Sequence, residues 1–112
     1  MQETNSTPIK GTSLQGEWVT SEVAERLRLL TREFDLLLAG DPRPARFAID
    51  MAGITSLDAC SCQLLAVFLY NLKRIGVTPE LGDISPEISA QISLLGFDEA
   101  FAPSGGTVKE NL

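Results

Sequence analysis

Apolar residues along the chain change period, and the clearest change falls between Arg46 and Ile75. Phe47 to Met51 is a short apolar run broken only by Asp50, which predicts a buried strand. A turn is expected at Ala52-Gly53. After Asp58 the apolar positions Leu64, Leu65, Phe68, Leu69, Leu72 and Ile75 recur three and four residues apart, the spacing of one helix face. Asp58 suits the N-cap, because its carboxylate can accept from first-turn amides and its charge opposes the positive end of the helix. Lys73 and Arg74 suit the other end, and Gly76 closes it.

The remaining elements follow from the same patterns. Met1 to Thr7 is polar and reads as a frayed terminus; between Pro8 and Val19, Gly11 and Gly16 divide the chain into a strand, a turn and a second strand from Leu14. Trp18 is expected to anchor the core. Thr20 is placed as the N-cap of a helix whose stripe is Val23, Leu27, Leu30, Phe34 and Leu37, ending at Gly40 before Asp41-Pro42-Arg43-Pro44. Val77 to Leu81 is a short strand, and Pro79 within it argues for a place near the sheet edge or for a distorted strand. Ser85 caps a last helix with Pro86 at its first position and Ile88, Ile92 and Leu95 inward; Gly96 ends it, and Phe97 and Phe101 pack back on the core. The order strand, strand, helix, strand, helix, strand, helix predicts an α/β domain, a small mixed sheet with helices packed against it. The domain is expected over residues 14–102, with an N-terminal segment 1–13 and a tail 103–112.

Composition narrows the function. The 112 residues make one domain, and none is histidine, which disfavours His-dependent hydrolases and most zinc sites. Net charge is −6, and from Glu80 onward six acids face a single base, Lys109, so a nucleic-acid partner is disfavoured. The longest apolar run, Leu64 to Tyr70, falls well short of the roughly 20 residues that span a bilayer. No charged-then-apolar leader opens the chain, and Cys60 and Cys62 are too close on a helix to pair with each other, so a reduced, cytoplasmic protein without membrane insertion is expected. No cofactor is implied. Asp50 and Asp58 lack the nucleophile, histidine or metal signature that would make them an acid-base pair.

Four segments carry a resemblance to a known family: Gly16-Glu17-Trp18; Phe47-Ala48-Ile49-Asp50 with Ile54-Thr55-Ser56-Leu57-Asp58; Gln63-Leu64-Leu65; and Ile84-Ser85-Pro86-Glu87-Ile88 through Leu94-Leu95-Gly96-Phe97. In this order and spacing, the stretch from Leu14 to Phe101 resembles the STAS domain of bacterial anti-sigma factor antagonists and sulfate transporters. The resemblance implies a non-catalytic module that docks on a protein partner at the junction between a strand and the following helix. In phospho-switched members that junction reads Asp, a small hydroxyl residue, the phosphorylated Ser or Thr, then Gly. Here Asp58 keeps the aspartate, Ala59 replaces the first hydroxyl residue, Cys60 stands at the acceptor position and Ser61 replaces the glycine. A thiol is not an acceptor for a serine kinase, so the chain is similar to unswitched members that work beside chemotaxis systems or lipid-transport ATPases.

The partner-binding residues expected on this basis are Thr55, Ser56, Asp58, Ala59, Cys60 and Ser61. The partner class is an anti-sigma factor or related kinase, with a transporter ATPase or a chemotaxis component as the alternative. Ser61 is the candidate for phosphorylation, set against a plain small residue at a helix start. Cys60 is the candidate for redox control, set against a buried small apolar side chain.

Overall fold

The computed structural model describes residues 10–102. In chain order they form β1 (Lys10–Trp18), a 3-10 turn (Thr20–Glu22), α1 (Val23–Ala39), β2 (Arg46–Leu57), α2 (Ala59–Arg74), β3 (Thr78–Gly82) and α3 (Pro86–Leu94). The strands make one sheet in the order β1-β2-β3, and both pairings are parallel. α1 joins β1 to β2 and α2 joins β2 to β3, and the two crossover helices touch each other. This is the expected α/β domain, with helices on a small sheet.

β1 departs from the strand, turn and strand expected there, because Lys10–Trp18 is continuous. Gly11 does not turn the chain. It lets β1 lie close to β2, since a Cβ at this position would sit 2.5 Å from the Ala48 carbonyl oxygen. The part of the expected first strand before Lys10, the terminus Met1 to Thr7 and the tail 103–112 lie outside the described residues.

β2 corrects a second expectation, for it runs through Ala52-Gly53 without turning. Its buried positions are Phe47, Ile49, Met51, Ile54 and Leu57, so the interval is two residues at first and then three. The pairing with β1 explains the change. Ser13 pairs with Asp50 but Gln15 with Gly53, and Gly16 pairs with Ile54 but Glu17 with Ser56, so β2 takes up one extra residue at each of two bulges. Ala52-Gly53 is absorbed in the first, and Asp50 Oδ1 accepts from the Ala52 amide at 2.9 Å beside it.

The core lies between this sheet and the helices. α2 supplies Cys62, Leu65, Phe68, Leu69 and Leu72, all buried, and Phe68 meets Phe47 edge to face at 6.3 Å between centroids. Its end is as expected: Gly76 turns the chain with φ +84°. β3 is an edge strand of the described sheet, where Pro79 is tolerated. Ser85 Oγ accepts from the Ile88 amide at 3.2 Å, capping α3, whose Ile88 and Ile92 are buried with Phe101.

α1 fits less completely. Leu30 and Leu37 are buried, but Leu27, expected on the same stripe, is 51% exposed. The cap also differs. The 3-10 turn precedes α1, no side chain caps it, and the Thr20 hydroxyl is committed elsewhere.

Candidate functional site

Because β1 and β2 are parallel, both leave the sheet at the same end, where Trp18 pairs with Leu57. Trp18 is fully buried, as expected, and its indole N–H donates to the Gln15 carbonyl at 3.1 Å. Arg26 of α1 reaches back over the indole, 5.2 Å from its centroid, and donates from Nη2 to the Glu17 carbonyl at 2.7 Å. The end of β1 is therefore held by α1.

The end of β2 is held by Asp58. Its backbone is extended at φ −104° and ψ 177°, and Oδ1 accepts from the Ser61 amide at 2.9 Å, the N-cap bond expected from sequence. Oδ2 accepts from both the amide and the hydroxyl of Thr20, at 2.7 and 2.9 Å. The Asp58 amide in turn donates to the Trp18 carbonyl at 3.1 Å. One side chain thus caps α2 and joins the two strand ends. The Ser61 N–H holds the carboxyl below its ordinary value, against the opposing effect of burial, and the Thr20 bonds lower it further. Thr20 was not foreseen as part of this site, because its partner lies 38 residues away.

The structure also divides the six expected contact residues. Thr55 and Ser56 belong to β2, Ala59, Cys60 and Ser61 belong to α2, and Asp58 alone stands between, so the expected loop from Thr55 to Ser61 is a direct strand-to-helix junction. Thr55, Ala59 and Cys60 are exposed, and Ser56 and Asp58 are half-buried. Ser61 is fully buried, which corrects its expected place on the contact surface and withholds its hydroxyl from a modifying enzyme in this conformation. The reason is periodic: Ser61 and Cys62 stand four and three residues before Leu65 and begin the buried stripe of α2. The Ser61 hydroxyl makes no hydrogen bond with another protein group.

The two thiols divide in the opposite sense from the plainer expectation. Cys60 is exposed, whereas Cys62 is buried, and burial, helped by the nearby Asp58 charge, pushes the Cys62 thiol up to about 11. Neither is in a disulfide. Beyond the junction, α2 turns Val67 and Tyr70 outward, 46% and 63% exposed, in line with Cys60 on the helix.

No protein-family model matches the sequence, and no curated protein matches it. Solved structures do match the fold. A sulfate transporter family protein from Wolinella succinogenes superposes with a TM-score of 0.66 at 21% identity, over 88% of this chain and 76% of that one. The STAS domain of a SulP transporter from Vibrio cholerae gives 0.67 at 10% identity, over 83% and 69%. The fold is that of a STAS domain. Among the described residues no helix is long and apolar enough to cross a membrane.

Proposed function

We propose that this chain is a non-catalytic docking module of the anti-sigma factor antagonist type, acting in the cytoplasm on a regulatory protein partner. The STAS fold is a protein-interaction module, and its members are generally non-catalytic. The observation that carries the reading is the start of α2. Ala59 and Cys60 are exposed at the surface, on a backbone that Asp58 fixes from both sides. A surface fixed before binding loses little entropy when a partner settles on it. The contact set is Thr55, Ser56, Asp58, Ala59 and Cys60, continued by the outward side of α2.

A second reading has its own support. Both similar structures named above are described as transporter proteins, so the same surface would serve a domain that assembles with or regulates a transporter. The lead reading predicts a captured partner with an ATP-binding kinase domain, and the second a transporter component.

Affinity capture with the intact chain and with Cys60→Glu tests both. The substitution puts a second carboxylate on the exposed helix start, next to Asp58, and leaves the buried stripe untouched. A partner retained by the parent chain and lost by Cys60→Glu is expected, and its identity chooses between the readings. A partner held equally well by both chains places the docking surface elsewhere.

A further inference from the structure

α1 leaves more apolar surface to solvent than its stripe predicts. Leu27, Leu36 and Leu38 are 51%, 63% and 41% exposed, half of the large apolar side chains that reach solvent among the described residues. Leu38 follows Leu27 by three helical turns, so the two share one side of the helix. Charge lies on the same outer face. Arg28, Arg32 and Asp35 line one shallow hollow with Leu27, Thr31 and Leu36, all from α1. The exposed charged residues of the helix are Glu25, Arg28, Arg32 and Asp35, two of each sign, whereas the whole chain carries −6. Arg28 reaches Glu25 at 3.2 Å between two well-exposed side chains, and Arg32 and Asp35 form no ion pair among the described residues.

We infer that this face pairs with a second copy of itself, α1 lying antiparallel to α1 about a two-fold axis between Thr31 and Arg32. Such an axis brings residues equally distant from that midpoint level with each other. Arg28 comes level with Asp35 of the copy, and Asp35 with Arg28 of the copy, so two unlike charges meet twice. The axis also keeps each flank on its own side. Leu27 therefore lies within about 3 Å, measured along the helix, of Leu38 of the copy, and this contact is likewise made twice. Because the exposed charges of α1 cancel, copies that repel each other over the rest of their surface can approach here. Arg32 is the exception, for it lies beside its own counterpart at the rim. One like-charge contact is thus set against two unlike ones. An anionic lipid surface would instead meet Glu25 and Asp35. The inference goes beyond the docking reading and does not rest on it, since none of these residues belongs to the contact set at the start of α2.

Sedimentation equilibrium of the full chain up to about 1 mM is the test, because a contact of one helix from each copy is small and its dimer weak. An equilibrium between monomer and dimer is expected. Arg28→Asp sets two carboxylates against each other at both ends of the contact, and Asp35→Arg sets two guanidinium groups. Each alone is expected to weaken the dimer at least about tenfold. Mixing the two variants in equal amounts brings unlike charges together again and is expected to restore a dimer containing one of each. Both positions are exposed, so the circular dichroism of each variant should match that of the parent chain. Arg32→Ala removes the like-charge contact and is expected to tighten the dimer about threefold. A chain that stays monomeric at every concentration overturns the inference, whether or not α1 then binds another protein or anionic vesicles. So does a dimer that either single reversal leaves intact, or a mixture of folded variants that stays monomeric. A looser dimer in Arg32→Ala overturns the antiparallel register.

Discussion

Thr20 donates twice to one oxygen of Asp58, from its amide at 2.7 Å and from its hydroxyl at 2.9 Å, across 38 residues of chain. The other oxygen caps α2. Removing the carboxylate therefore frees donors at two places. Asp58→Ala is expected to cost about 1–2 kcal/mol, the upper part of the range for a lost N-cap. Asp58→Asn should cost less, since an amide oxygen still caps. Thr20→Val removes only the hydroxyl bond and should cost about 0.5–1 kcal/mol. Combining Thr20→Val with Asp58→Ala should cost less than the sum of the two, as urea denaturation would show. Strict additivity would mean that the hydroxyl bond contributes nothing.

The same carboxylate sets a pH dependence. Hydrogen bonds from Ser61 and then Thr20 hold its folded value below the unfolded one, which lies near about 3.9. A group lowered on folding stabilises fully above its unfolded value, and that contribution is lost as pH falls through the folded value. Wild type and Asp58→Asn should therefore differ by a constant amount between about pH 5 and pH 7 and converge below about pH 4. Urea midpoints measured across that range check the convergence. A difference that widened toward acid would contradict the assigned hydrogen bonds.

Thiol chemistry should separate the cysteines cleanly. Cys60 is exposed and Cys62 is buried, with its thiol held up to about 11. At pH 8 a disulfide reagent should modify Cys60 promptly and reach Cys62 only when the chain opens. Cys60→Ser should then show almost no fast reaction in the native state and one thiol in urea. Fast native labelling of that variant would place Cys62 near solvent.

Ser61 gives a prediction of opposite sign to most core changes. Its hydroxyl is buried and makes no hydrogen bond with another protein group, so Ser61→Ala should be neutral or stabilise by up to about 1 kcal/mol. Ser61→Asp places an unpaired carboxylate in the interior and should cost roughly 3 kcal/mol or more. Thermal unfolding of the two variants reads both effects. A stable, well-folded Ser61→Asp chain would show that the residue reaches the surface.

Features with local causes could be read from the sequence. Asp58, Ser85 and Pro86 mark helix starts by chemistry contained within one turn, and the apolar stripe of α2 needs only its own spacing. Features decided by distant residues could not. Ala52-Gly53 has the composition of a turn, but two bulges against β1 keep it extended. Thr20 has the composition of a cap, but its donors are taken by Asp58. Ser61 is the intermediate case: extending the α2 stripe back one turn from Leu65 leads to Ser61 and Cys62, whereas proximity to the capping residue suggests exposure. The exposed Leu27 lay beyond reach, because helical spacing identifies an apolar face without saying how much of it a neighbour covers.

The two surplus residues of β2 also govern distance along the sheet. They bring its last residue level with Trp18, so that the next carboxylate arrives opposite the chain leaving β1. Shortening β2 by a single residue between Met51 and Thr55 would draw Asp58 back along the strand, away from Thr20. The helix start would then be reoriented although every side chain on it was preserved, so the spacing of an inner strand sets the direction in which α2 begins.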